Sequence, residues 1–159
     1  MVANYPSPMP DVTVSRTIAA SPEAVWSLVS DPTRMGEWSP ENRGAKWLGD
    51  ASGAAVGSRF RGSNKNGWMR WQTVCTVTEC VENEAFAFDV KSGPIPISTW
   101  AYRLESVDGD THVTEEFTKN EPDWMEKIAN RLLKIDSRAE FNRSGMEATL
   151  AAMANELES

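Results

Sequence analysis

The feature that most constrains this chain is a change of hydrophobic period. Residues 42 to 119 alternate apolar and polar side chains, whereas residues 123 to 158 carry apolar side chains at three- and four-residue spacing. The first pattern belongs to half-buried strands and the second to an amphipathic helix. Few arrangements satisfy both, because one face of the sheet has to be covered and only that helix is large enough to cover it.

Turn signals inside the strand region fix registers. Asn66-Gly67, between SRFRGSNK and WMRWQTVCTV, reads as a two-residue hairpin loop. Lys65 then opposes Trp68, Asn64 opposes Met69, Gly62 opposes Trp71 and Phe60 opposes Thr73. One face therefore holds Phe60, Gly62, Asn64, Met69, Trp71, Thr73, Cys75 and Val77, and is predicted to be the buried one. Asp108-Gly109 closes the last hairpin and pairs Val107 with Asp110, Leu104 with Val113, Tyr102 with Glu115 and Trp100 with Phe117. The apolar face of that hairpin carries one carboxylate, Glu115. Between the hairpins, AFAFDVK points Phe86, Phe88 and Val90 inward until Ser92-Gly93-Pro94 and Pro96 interrupt the pattern.

The segments on either side are also legible. VTVSRTIA, residues 12 to 19, is a β-branched strand. Ser21-Pro22-Glu23 supplies an N-cap, a first-turn proline and a first-turn acid for a short helix carrying Val25, Trp26, Leu28 and Val29. Asp31-Pro32 stops it, and a second short turn follows from Thr33 to Trp38. After Glu121-Pro122-Asp123 the helical stripe runs through Met125, Ile128, Leu132, Ile135, Ala139, Met146, Leu150, Met153 and Leu157, with Asn142 to Gly145 as the candidate break.

Composition narrows the function classes. The net charge of −7 opposes nucleic acid and anionic membranes unless a local basic patch overrides it. Arg59, Arg61, Lys65 and Arg70 form a small cluster on one hairpin and are read as a solvated strand face, because no Gly-rich loop leads into a helix there. No apolar run approaches the roughly 20 residues of a membrane span, and MVANYPSPMPD has neither the basic nor the apolar part of a signal peptide, so a cytoplasmic location is expected. Residues 1 to 10 are expected to be a flexible Pro-rich arm and residues 11 to 159 a single domain. Cys75 and Cys80, about 16 Å apart on opposite faces of a regular strand, are expected to be free thiols. With a single histidine, His112, which alternates outward, no metal site and no cofactor are expected.

The stretches VTVSRTIAASPEAVWSLVSDPTRMGEWSPE, GSRFRGSNKNGWMRWQTVCTV, TWAYRLE, DTHVTEEF and SGMEATLAAMANELE, in that order, resemble the polyketide cyclase/dehydrase branch of the START/Bet v1-like (SRPBCC) superfamily from Val12 to Glu158. The resemblance implies an α+β helix-grip fold: a seven-stranded antiparallel sheet curled around a long C-terminal helix, with two short helices after the first strand. It also implies a hydrophobic cavity. Transferred to this sequence, the cavity residues are Trp38 as a gate, Phe60, Asn64, Trp71, Phe88, Trp100, Tyr102 and Glu115 on the sheet, and Met125, Ile128, Leu132, Met146 and Leu150 on the helix.

Among these, Asn64 and Glu115 stand out, because a polar group on an apolar face has to find a partner. Two readings of Glu115 stay open. It pairs with Arg16 on the neighbouring first strand, which would lower its pKa, or it serves with Tyr102 as a ligand anchor or general acid/base, with a pKa raised by burial. Three functions follow as expectations: binding or transport of a hydrophobic small molecule, a polyketide cyclase or dehydratase using Glu115, Tyr102 and Asn64, or a non-catalytic interaction protein. A monomer or weak homodimer is expected.

Overall fold

The computed structural model describes residues 9 to 159, so the expected arm lies almost wholly outside the described residues. Strand β1 (Val12–Ile18) leads into helix α1 (Pro22–Val29) and a 3₁₀ helix (Pro32–Glu37). Six strands follow: β2 (Asn42–Trp47), β3 (Arg59–Asn66), β4 (Met69–Val81), β5 (Ala85–Ser92), β6 (Ile95–Val107) and β7 (Asp110–Lys119). Helices α2 (Asp123–Leu133) and α3 (Arg138–Glu158) end the chain. The strands form one open antiparallel sheet of order β1-β7-β6-β5-β4-β3-β2, with α3 on its inner face, which is the expected helix-grip arrangement.

Local chemistry explains the start. The Ser21 hydroxyl accepts from the Ala24 amide at 3.2 Å, Pro22 opens the first turn, and Asp31 restarts the chain by accepting from the Thr33 amide at 3.1 Å. Helix α1 buries Val25, Leu28 and Val29, roughly 1.5–3 kcal/mol of transfer free energy for each. A run of ring contacts crosses the sheet from Trp47 through Phe60, Phe88 and Phe86 to Trp26, with centroids 5.2 to 6.2 Å apart. Helix α3 completes this core with Met146, Leu150, Met153 and Ala154, all fully buried.

The β6–β7 hairpin has the expected register throughout, with Asp108 and Gly109 both at positive φ (52° and 87°) as a two-residue type I′ loop requires. The β3–β4 hairpin differs. Asn66 pairs with Met69, so the loop is Gly67-Trp68, Asn64 faces Trp71, and Gly62 faces Thr73. Only Gly67 takes a positive φ there (60°), which is the glycine-first pattern of a type II′ loop. Each partner moves by two residues, so the expected inner face survives intact.

Two further expectations are corrected. A bulge between Val77 and Glu79 places Cys80 opposite Phe86, on the same inner face as Cys75, although both thiols are free as expected. The helical stripe breaks at Lys134 to Ser137 rather than at Asn142 to Gly145. Lys134 adopts a left-handed conformation (φ 58°) that ends α2, and the Ser137 hydroxyl accepts from the Glu140 amide at 3.3 Å to start α3. The C-terminal segment is therefore two helices, and the first of them turns Met125, Ala129 and Leu133 toward the space beside the sheet.

Candidate ligand-binding cavity

A cavity of about 420 Å³ lies between the inner face of the sheet and helices α2 and α3. Phe60, Trp71, Phe88, Trp100 and Phe117 form its strand wall, and Met125, Ala129, Leu133, Phe141 and Met146 its helical wall. The register of the two hairpins puts all these side chains on one side, since residues two apart on a strand share a face. Polar groups are few and mostly partnered. Asn64 donates to the Thr73 hydroxyl at 3.4 Å, and the Trp100 indole donates to the Ser98 hydroxyl at 3.1 Å. At the rim, Glu41 accepts from Arg138 at 2.6 Å and from Asn66 at 3.0 Å. This latch joins the start of α3, the start of β2 and the tip of the β3–β4 hairpin.

Glu115 is the exception within the wall. It is 3% exposed, and Tyr102 donates to its Oε1 at 3.1 Å, while Oε2 has no hydrogen-bond partner among the described residues. Burial pushes its pKa up to about 8, against a smaller lowering by the tyrosine hydrogen bond. The Tyr102 hydroxyl is itself raised, first by burial and then by the nearby carboxyl, and stays protonated. Arg16 forms no ion pair with Glu115: β1 is an edge strand, and its guanidinium is exposed to solvent. In the same wall, burial pushes the Cys75 thiol up to about 12, which makes it a poor nucleophile. Among the described residues no three His, Cys, Asp or Glu side chains gather as a metal site would require. Glu41 and Glu121 also border this largely apolar space, but the carboxyl set into its strand wall is Glu115, which is largely protonated near neutrality. Such a group donates a hydrogen bond when protonated and accepts a proton when ionised.

Nine of the expected site residues line this space: Phe60, Asn64, Trp71, Phe88, Trp100, Tyr102, Glu115, Met125 and Met146. Four do not. Ile128 and Leu132 are 54% and 47% exposed on the outer side of α2, because the inner row of that helix is Met125, Ala129 and Leu133. Leu150 is buried in the core behind the cavity. Trp38 is no gate: it is 8% exposed, lies 5.0 Å under the Arg34 guanidinium, and its carbonyl accepts from Thr149 at 3.2 Å, so it staples the 3₁₀ helix to α3. Sequence reasoning missed Ala129 and Leu133, although they follow Met125 at four-residue spacing. It also missed Asn142, which turns inward within α3.

Comparison with known proteins agrees with this architecture. The solution structure of the Polyketide_cyc-like protein Cgl2372 from Corynebacterium glutamicum is similar at 31% identity over 92% of this chain and 90% of that one, with a TM-score of 0.63. Protein NE0264 from Nitrosomonas europaea is similar in fold, with a TM-score of 0.68 at 15% identity, covering 94% of each chain. DynU16, a protein of the dynemicin biosynthetic locus, has a TM-score of 0.63 at 16% identity, covering 93% of this chain and 47% of that one. No curated protein matches the sequence. The model of the family described as polyketide cyclase/dehydrase and lipid transport matches residues 9 to 158, nearly the whole chain, and the chain belongs to that family.

Proposed function

We propose that the protein binds an apolar small molecule bearing a carbonyl group, with the carbonyl oxygen against Glu115. The observation that carries this reading is the unpartnered Oε2 of a buried carboxyl in an apolar wall. A buried polar atom without a partner costs about 1–3 kcal/mol, and a ligand oxygen accepting from the protonated carboxyl removes that cost. Tyr102 occupies the other carboxyl oxygen, so the free O–H is aimed by its neighbour. Aromatic walls and a volume in the range of small-molecule pockets supply the remaining affinity.

Prodan, a naphthyl ketone whose emission reports hydrogen bonding at its carbonyl, tests this. Binding is expected with the spectral signature of a hydrogen-bonded carbonyl, and it should weaken as pH rises through about 8, where the donor ionises. Glu115→Gln keeps a donor and removes the pH dependence, while Glu115→Leu removes both. Binding equally tight and pH-independent in all three proteins would overturn the carbonyl assignment.

A second reading, cyclisation or dehydration of a polyketide-type substrate, is favoured by the same raised pKa. A carboxyl titrating near 8 can protonate a carbonyl oxygen and later take back a proton, and the family description and the locus of DynU16 are compatible with it. In that case Asn64 and Tyr102 orient the substrate, and Glu115→Gln abolishes turnover while leaving ketone binding intact.

A further inference from the structure

Two surfaces beside the cavity expose large apolar side chains. On α2, Trp124, Ile128 and Leu132 are 63%, 54% and 47% exposed and recur every fourth residue, so they form one stripe. At the β3–β4 tip Trp68 is 75% exposed. Both elements also wall the cavity, α2 through Met125, Ala129 and Leu133 and the tip through Asn64, Met69 and Trp71. Each thus turns one face to the cavity and another outward, at the same end of the molecule.

The unpaired charges around these side chains are cationic, the nearby acids Asp123 and Glu41 being held by Lys119 and by Arg138. Lys127 and Arg131 flank the α2 stripe, Lys134 follows its end, and Lys65 and Arg70 flank Trp68. Among the described residues none of these five cations forms an ion pair. Of the acids of α2, Glu126 lies away from the stripe and Asp123 lies one turn before Lys127, and both are held by Lys119, at 2.8 and 2.6 Å. A local cationic rim on a chain of net charge −7 sets one orientation on an anionic surface, since the rest of the molecule is repelled.

We propose that α2 and the β3–β4 tip dock the protein on an anionic lipid bilayer, so that the cavity opens onto the bilayer surface. Trp side chains prefer the boundary between hydrocarbon and headgroup, and cations beside them reach the headgroup phosphates. An amphipathic helix with a Trp-Ile-Leu stripe and Lys/Arg at its margin has the make-up of an interfacial helix. A bilayer is favoured over an acidic protein because the exposed rings stand on two separate projections around an opening and form no single groove. An apolar ligand of low aqueous solubility would then enter or leave without crossing water.

Flotation of the full chain with phosphatidylcholine vesicles, with and without one-third phosphatidylglycerol, tests the proposal. Binding is expected only to the anionic vesicles and should fall with added salt. Lys127→Ala and Arg131→Ala should each weaken it about fivefold. Trp124→Ser with Ile128→Ser should abolish it, while prodan binding in the absence of vesicles stays unchanged, which keeps this proposal separable from the ligand reading. These positions are exposed, so the variants fold. No binding to anionic vesicles, or binding indifferent to these substitutions, would overturn the proposal. Capture of polyglutamate, or self-association that the same substitutions abolish, without vesicle binding would instead assign the stripe to a protein partner.

Discussion

Glu115 shows what one residue sacrifices in stability for a site. The Asp108-Gly109 loop fixed its pairing with Tyr102 in advance, so the juxtaposition was legible from residue spacing alone. That Arg16 would leave it unpaired was not, because spacing puts Arg16 on the inner face without telling that an edge-strand guanidinium reaches solvent more cheaply than it reaches a carboxyl in the core. The consequence is a folded-state pKa of about 8, above the ordinary carboxylate value. Between the two values the native state keeps a proton that the unfolded chain has released. The stabilisation is therefore fully present below about pH 4.5 and is lost as pH rises through about 8, with a magnitude on the order of a few kcal/mol. Glu115→Gln carries no such term. Urea denaturation of both proteins across this range should show the variant gaining steadily on the wild type and the difference levelling off above pH 8. Parallel curves would mean that Glu115 ionises normally in the folded protein.

At the scale of elements, strands were read better than helices, and the reason is local. A strand's face follows from parity, so an error in the β3–β4 loop moved partners by two and left the buried set unchanged. A helix's end depends on capping geometry, and the long stripe masked the Ser137-x-x-Glu140 cap that begins α3. Helix α2 is the element whose independence matters for the cavity. None of its residues is fully buried, whereas α3 buries six, so α2 should open without the rest of the fold. Amide exchange is expected to be about two orders of magnitude faster in α2 than around Met146 to Met153 of α3, with prodan slowing α2 selectively. Equal protection in the two helices would place α2 within the cooperative core and remove it as the moving wall.

On the scale of the molecule, the fold trades packing for space. Seven tryptophans gave warning of aromatic surface beyond what a core of this size needs, but four different fates were hidden behind that count: core for Trp26 and Trp47, staple for Trp38, cavity wall for Trp71 and Trp100, exposed rim for Trp68 and Trp124. Volume was not legible at all, because it depends on how far α2 and α3 stand off the sheet. That distance is set by contacts between segments far apart in sequence, among them the Glu41–Arg138 ion pair and the Trp38–Thr149 hydrogen bond. An unfilled apolar space forfeits dispersion contacts along its lining, so filling it should stabilise the protein at the expense of binding. Ala129 offers the test, since it is half-buried on the inner row of α2 and faces the cavity. Ala129→Phe is expected to raise the melting temperature by a few degrees, roughly 1 kcal/mol for a chain of this size, and to weaken prodan binding at least about tenfold. A variant that melts earlier and still binds prodan would mean that the ring had been expelled to the surface by a more rigid wall. In that case the space between α2 and the sheet would be fixed by the backbone rather than by the side chains that line it.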